Sequence, residues 1–166
     1  MARITVGKKT VHHMDFDTLV EVNKQVVTLT GEPHEFSASD KRKLSELVEE
    51  VELRADNQDF EEAVAEKASL LIFKVASGQY FRGGNKRTAL VAGLAFLKKN
   101  GYSIDIENPE FVSTVDKVGI AASTLDDLYG VVLRLAKKSP AERKGWEKAV
   151  QAEVDSHKDF LTKVGS

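Results

Sequence analysis

One short stretch of the sequence combines residues that could bind an anion. Gly83 and Gly84 stand directly before Asn85, Lys86 and Arg87, which open a strongly apolar segment. Glycine lets the backbone turn sharply and expose its amides. Cations in the first turn of a helix oppose the helix dipole, at a cost of roughly 0.3–1 kcal/mol each. A negative group is therefore expected at this helix N-terminus, and phosphate is the most natural one.

A plainer interpretation of the same residues stays open. The two glycines could only soften a loop, with Lys86 and Arg87 paired to nearby carboxylates such as Glu61, Glu62 or Glu66. Such pairing would satisfy the cations without any ligand. Physical reasoning on this stretch alone does not separate the two interpretations.

Residues 79–90 read QYFRGGNKRTAL. This stretch resembles the signature of the Fic/Doc family, His-x-Phe-x-Asp/Glu-Gly/Ala-Asn-Lys/Gly-Arg, and its Asn-Lys-Arg-Thr-Ala form resembles the Doc (death-on-curing) branch. The surroundings agree, because an alanine-rich segment precedes the loop and an apolar helix ending in Lys99-Asn100-Gly101-Tyr102 follows it. The resemblance covers about residues 16–135.

The resemblance implies an all-α helical bundle with the loop at the start of a central helix. Family members transfer AMP, another nucleotide moiety or a phosphate to a protein hydroxyl, and Doc-type toxins are neutralised by a small antitoxin. ATP or another nucleotide is thus the implied ligand, and a protein target or an antitoxin-like protein the implied partner. Phe81 would anchor the loop in the core. The residues implied to hold the phosphates are Gly83, Gly84, Asn85, Lys86 and Arg87.

Two positions depart from the signature, and in the family both are needed for the transfer reaction. The family histidine, which acts as general base, is Gln79 here, and a neutral amide has no pKa near 7 with which to take a proton. The family Asp/Glu that holds a divalent metal is Gly83, so a hard oxygen ligand is missing and Mg²⁺ is not expected. General acid–base catalysis is worth roughly 10²–10⁴-fold in rate. We therefore assign no catalytic residue and expect reduced or no activity.

Three functions follow from this mixture of kept and lost residues. The favoured one is a catalytically degenerate Fic/Doc-like domain that binds a nucleotide or phosphate and acts as a regulatory module. The alternative is an active nucleotidyl- or phosphotransferase of the Doc-like toxin type, since Lys86 and Arg87 could stabilise charge in an in-line displacement. The second alternative is a helical interaction protein without a ligand.

The segment Thr28-Leu29-Thr30-Gly31-Glu32 approaches another pattern of the family. The family's inhibitory motif is Ser/Thr-x-x-x-Glu-Gly/Asn, but Pro33 follows Glu32 here. We therefore interpret this segment as a turn that ends the first helix.

Helical periodicity runs through most of the chain and predicts six to seven helices in one domain, residues 1–166. A small N-terminal β-hairpin could form from Arg3–Val6 and Thr10–His13. The core would span residues 16–135. Within it we expect helices over 16–30, from near Ser39, through Val64 to Val75, from Asn85 to Lys99, from Pro109, and from about Thr124.

The last predicted helix covers residues 140–164. Ser139-Pro140-Ala141-Glu142 has the spacing of a capping box, with proline at the first helical position. Its apolar stripe must pack on something, either the body of the domain or a second subunit in a homodimer. The stripe consists of Trp146, Val150, Val154, His157, Leu161 and Val164.

Composition narrows the function classes. The 166 residues carry a formal net charge of −2, so the whole-surface basic footprint of a nucleic-acid-binding protein is absent. The chain has no cysteine, which excludes disulfides and thiolate metal sites. Its four histidines are scattered, and no apolar run approaches the roughly 18 residues of a membrane span. We therefore expect a cytoplasmic protein without nucleic-acid or membrane partners.

Overall fold

The computed structural model describes residues 9–32, 34, 38–56 and 58–164. Within these ranges the chain forms eight helices and one two-stranded antiparallel sheet. The helices are α1 (Phe16–Thr30), α2 (Ala38–Leu53), α3 (Phe60–Ser77), α4 (Asn85–Lys99), α5 (Pro109–Gly119), α6 (Leu125–Leu135), α7 (Trp146–Ser156) and α8 (Lys158–Lys163). The strands are β1 (Tyr102–Ser103) and β2 (Lys137–Lys138). The all-α bundle expected from the sequence is confirmed.

Helix α4 lies at the centre of the bundle. Every residue from Arg87 to Leu97 is buried, because α1, α3, α5 and α7 all pack on this helix. Its most extensive contact is with α3, where Gly93 permits close approach. A Cβ on Gly93 would lie only 2.5 Å from Cδ1 of Ile72. A central helix packed this tightly fixes the position of the loop that precedes it.

Local signals set the ends of several helices as expected. The predicted helix over residues 16–30 is α1, which the Asp15 side chain caps by accepting a hydrogen bond from the Thr18 amide. Gly31, with φ of 76°, ends it in the left-handed region. Asn108 caps α5 ahead of Pro109, and Thr124 opens α6 with a capping box.

The predicted helix over residues 140–164 is wrong at its start and is interrupted once. Helix α7 begins at Trp146, and His157 separates it from α8. The Ser139 amide donates to the Gly101 carbonyl and the Glu142 amide to the Lys98 carbonyl. Pairing of β2 with β1 thus draws these residues onto the end of α4, so no capping box forms.

The apolar stripe of the last helices packs on the body of the same chain. Val150, Val154 and Leu161 are buried, and α7 and α8 contact α1 while α7 also contacts α4. Of the two surfaces expected to cover the stripe, the body of the domain does so, and the homodimer stays an untested prediction.

The predicted N-terminal hairpin cannot be followed along its whole length. Its first arm, Arg3–Val6, lies outside the described residues, and Thr10–His13 has neither helix nor strand. Instead, the His12 amide donates to Oδ1 of Asn100 at 2.7 Å, and Nδ2 of Asn100 donates to the His12 carbonyl at 3.0 Å. The chain before α1 is thereby attached to the C-terminal end of α4.

Across the described part of the chain, no helix combines the length and the apolar character needed to cross a membrane.

Candidate functional site

The loop between α3 and α4 is held from within. Asn85 accepts a hydrogen bond from the Phe81 amide through Oδ1 at 3.1 Å and donates to the Phe81 carbonyl through Nδ2 at 2.9 Å. The Phe81 ring is buried in the hydrophobic core. The Asn85 side chain therefore fixes the shape of the loop, while its main-chain amide belongs to the first turn of α4.

The N-terminus of α4 is left without a side-chain cap in the described structure. Gly84 stands at the capping position with φ of 72°, a left-handed conformation that favours glycine. A Cβ there would also lie 3.0 Å from Cγ1 of Val27 on α1. Uncapped first-turn amides at the positive end of a helix dipole form an anion-binding geometry.

A carboxylate of the chain itself lies at this end of α4. Oε1 of Glu32 accepts from the Thr30 hydroxyl at 2.8 Å and pairs with Nη1 of Arg87 at 3.4 Å. Its other oxygen would be 2.7 Å from a Cβ on Gly83. The negative group expected at this helix N-terminus is therefore present as Glu32.

The turn predicted at Thr28–Glu32 exists, but sequence reasoning missed the contact that Glu32 makes. Gly31 turns the chain, and the Glu32 amide donates to the Val27 carbonyl at 2.9 Å. The signal was the partial match to the family's inhibitory pattern, which we set aside because of Pro33.

Arg87 is buried, with 8% of its surface exposed, and the end of α8 covers it. Nε donates to the Leu161 carbonyl at 2.5 Å and Nη2 to the Val164 carbonyl at 2.6 Å. The guanidinium thus satisfies two carbonyls at the C-terminal end of α8, groups that a helix leaves without internal partners. Sequence reasoning gave no signal for this contact.

Both cations of the first turn are paired, but not with the carboxylates suggested by the sequence. Lys86 forms an ion pair with Asp116 on α5, and Arg87 pairs with Glu32. Glu61, Glu62 and Glu66 lie in the first two turns of α3, whereas the loop follows its last turn. At 1.5 Å per residue this separates them from the loop by about 20 Å. The pairing with those three residues is therefore wrong.

Asn23 connects α1 to the loop. It is 1% exposed, and its Nδ2 donates to the Gly83 carbonyl at 3.0 Å and to the Thr88 hydroxyl at 3.1 Å. Its Oδ1 is 2.9 Å from Nδ1 of His34. Since Oδ1 can only accept, Nδ1 of His34 carries the proton. The signal for Asn23 was its place on an otherwise apolar face of α1.

His34 is neutral near pH 7 and is linked to the loop by way of Asn23, which hydrogen-bonds both His34 and the Gly83 carbonyl. Burial lowers its pKa below the ordinary value, and the positive charge of Lys24 lowers it further. The opposing effect of Glu21 is smaller. A neutral imidazole here adds hydrogen-bonding capacity but no positive charge.

Gln79, which stands at the family's base position, is exposed and has a φ of 52°. Left-handed backbone is uncommon for non-glycine residues and concentrates at functional sites. The neighbouring Tyr80 offers no replacement base. Burial raises the pKa of its phenol, and the charges of Glu50 and Glu46 raise it further, so the hydroxyl stays protonated.

The residues at the loop do not form a site for the divalent metal that the family resemblance implies. Gly83 brings no ligand, and the Glu32 carboxylate is already paired with a guanidinium. No group of three or more His, Asp or Glu side chains within the described residues is arranged to hold a metal ion.

Comparison with known proteins places this site inside a recognised family region. The model of the Fic/DOC family matches residues 12–97, more than half of the chain. This segment includes Asn23, Glu32, the loop and Arg87, whereas α5 to α8 follow it. A search of curated proteins and a search of solved structures each gave no match. The match agrees with the family resemblance, while the Doc branch stays a prediction.

Proposed function

The chain belongs to the Fic/DOC family, and on that premise we propose that it binds the phosphate of a nucleotide without transferring it. The observation that carries this proposal is the Glu32 carboxylate at the uncapped N-terminus of α4, beside Gly83 and paired with Arg87. A position that accommodates one anion suits another of similar geometry. Glycine-rich loops that lead into a helix N-terminus bind phosphate in this way in other proteins.

A bound phosphate would take the place of the Glu32 carboxylate. It would accept hydrogen bonds from the first-turn amides of α4 and from Nη1 of Arg87, which now faces Glu32. Gly83 and Gly84 would let the ligand approach the backbone closely. ATP or another nucleotide supplies such a phosphate.

The absence of transfer in this proposal follows from proton chemistry. A transferase must remove a proton from the target hydroxyl, and Gln79 has no group that can accept it. Tyr80 stays protonated, and Gly83 cannot hold a metal on the phosphates. The nucleotide would therefore remain intact, and its binding would serve a regulatory role or a protein partner, including an antitoxin-like one.

Calorimetric titration of the full chain with ATP, GTP, AMP and CMP, each with and without Mg²⁺, tests the proposal. Glu32→Gln should tighten binding, because it removes a competing negative charge, and Arg87→Lys should weaken it. Arg134→Ala is the matched control, since Arg134 is an exposed arginine paired with Glu110 on other helices. The proposal fails if none of the nucleotides binds at millimolar concentration.

The left-handed Gln79 keeps an active transferase as the second candidate, because strained backbone at the family's base position suggests a retained reactive geometry. Incubating the protein with radiolabelled nucleotides and whole-lysate proteins separates the two. We expect no label on any protein. Labelled bands that disappear with Arg87→Lys would replace the binding proposal with transfer.

A further inference from the structure

Helix α8 occupies two of the three guanidinium nitrogens with which Arg87 could hold a phosphate. A guanidinium binds an oxyanion best with two parallel N–H groups. Nε and Nη2 form one such pair, and both donate to α8 carbonyls, those of Leu161 and Val164. Nη1 faces Glu32, so the second pair, Nη1 and Nη2, is divided between two partners. No two-pronged contact with a phosphate is available while α8 stays docked.

Helix α8 has features that allow it to detach from the bundle without unfolding the other helices. It has six residues, and His157, with φ of −124° and ψ of 24°, separates it from α7. A helix this short is not stable alone and depends on its packing. Leu161 is its one fully buried side chain among the described residues, flanked by the half-buried Phe160 and Val164. Units with so few anchors open locally at a lower cost than the whole domain.

We propose that α8 is a latch on the anion site, so that docking of α8 and firm binding of phosphate by Arg87 exclude each other. This inference rests on the proposed function. When α8 leaves, Nη2 is released from the Val164 carbonyl and joins Nη1 as a parallel pair on the phosphate that takes the place of Glu32. The coupling is reciprocal: the ligand favours release of α8, and release of α8 favours the ligand.

The latch differs from a purely structural role of Arg87 in one observable way. If Arg87 only caps α8, a ligand at the loop leaves α8 in place. If α8 is a latch, the ligand must loosen it.

Hydrogen exchange of the full chain, followed by mass spectrometry with and without saturating ATP, distinguishes these cases. The amides of Leu161 and Val164 donate to the carbonyls of His157 and Phe160 and report on α8. We expect their exchange to become at least several-fold faster with ATP, while amides in the first turns of α4 exchange more slowly. Unchanged or slower exchange in α8, with ATP bound, would overturn the latch.

A substitution that loosens α8 gives the complementary test. Leu161→Asn places a neutral polar group in the apolar anchor and should tighten ATP binding at least tenfold, because the binding-competent state becomes the main one. Thr162→Asn is the matched control, since Thr162 is the exposed neighbour and should leave the affinity unchanged. Circular dichroism verifies that both variants fold. If Leu161→Asn does not fold, the exchange experiment decides.

The outcomes separate the latch from the proposed function. ATP binding that is equal in the wild type and in Leu161→Asn would overturn the latch and leave nucleotide binding intact. ATP binding by the wild type that becomes at least tenfold tighter in Leu161→Asn would support both proposals. If neither protein binds ATP, both proposals fall.

Discussion

The unpaired backbone groups at the two ends of α4 have opposite surroundings. At the C-terminal end, Lys98 and Lys99 complement the helix dipole, and the Lys98 carbonyl accepts from the Glu142 amide. At the N-terminal end, no described side chain caps the helix, and Lys86 and Arg87 oppose the dipole. The first end follows the rules of helix stability, and the second departs from them. Such departures are expected where a binding site forms.

The largest effect we expect is a gain of activity at the N-terminal end. Gln79→His with Gly83→Asp restores the family base and carboxylate, but the new carboxylate would be repelled by that of Glu32, which lies 2.7 Å from a Cβ at position 83. Adding Glu32→Gln removes the charge repulsion. In a label-transfer assay with Mg²⁺, the triple variant should exceed the wild type by roughly 10²-fold or more.

The double variant without Glu32→Gln is the control and should stay well below the triple variant. Equal transfer by both would mean that Glu32 moves aside freely, and the competition between Glu32 and the ligand would then be negligible.

Replacing one cation at each end of α4 should separate the ends in stability. Arg87→Ala leaves two α8 carbonyls and Glu32 without their partner and should lower the free energy of unfolding by about 2–4 kcal/mol. Lys99→Ala removes a hydrogen bond to the Lys144 carbonyl and a contact over the Trp146 ring, worth about 1 kcal/mol or less. Urea unfolding measures both. Equal losses would contradict the contrast between the ends.

Glycines with positive φ stand at both ends and allow a sharper comparison. Gly84→Ala should cost about 2–3 kcal/mol, because left-handed backbone costs about 1–2 kcal/mol and its Cβ would also press on Val27 at 3.0 Å. Gly101→Ala carries the backbone cost alone, since among the described residues its Cβ would meet only the Ser139 carbonyl, at 3.5 Å. Thermal unfolding of the two variants should show the difference, and only Gly84→Ala should also weaken nucleotide binding.

The smallest effect concerns His13, which lies near Phe96 towards the C-terminal end of α4. Burial lowers its pKa from 6.5 to about 4, and the charge of Lys67 contributes. Between these two pH values His13 is protonated in the unfolded chain but not in the folded chain, so the free energy of unfolding falls as the pH drops from 6.5 to 4. The full linkage of a shift of this size is about 3 kcal/mol, and solvent screening of the half-buried ring reduces the expected loss to about 1–2 kcal/mol. In thermal unfolding at several pH values, His13→Gln should flatten this dependence, whereas His12→Gln should not.

The sequence predicted the elements that local chemistry determines. The bounds of α1 follow from Asp15 and Gly31, and those of α5 from Asn108 and Pro109, because caps and prolines act within one turn. The predicted start of the last helix was wrong because tertiary contacts override the local capping signal. Backbone hydrogen bonds hold residues 139–142 at the end of α4, next to the pairing of β2 with β1. Composition does not reveal such competition.

The partners of the site residues required the fold itself. Arg87 meets Glu32 across 55 positions of the chain and Leu161 across 74. Helical periodicity places Arg87 on α4 but says nothing about which distant segment faces it. Asn23 offered a signal that the sequence analysis did not use, since a polar side chain on an otherwise apolar helix face requires a hydrogen-bonding partner.

The short turn between Thr30 and Glu32 has a quantitative consequence. Glu32 is tethered beside the loop, so its effective concentration there is fixed by the chain and does not change when the protein is diluted; for short tethers such values reach about the millimolar range. A free anion displaces Glu32 only when its concentration, multiplied by its affinity relative to that of the Glu32 carboxylate, exceeds this effective concentration. The response threshold is therefore a property of the chain, and lengthening the turn by inserted glycines would lower it.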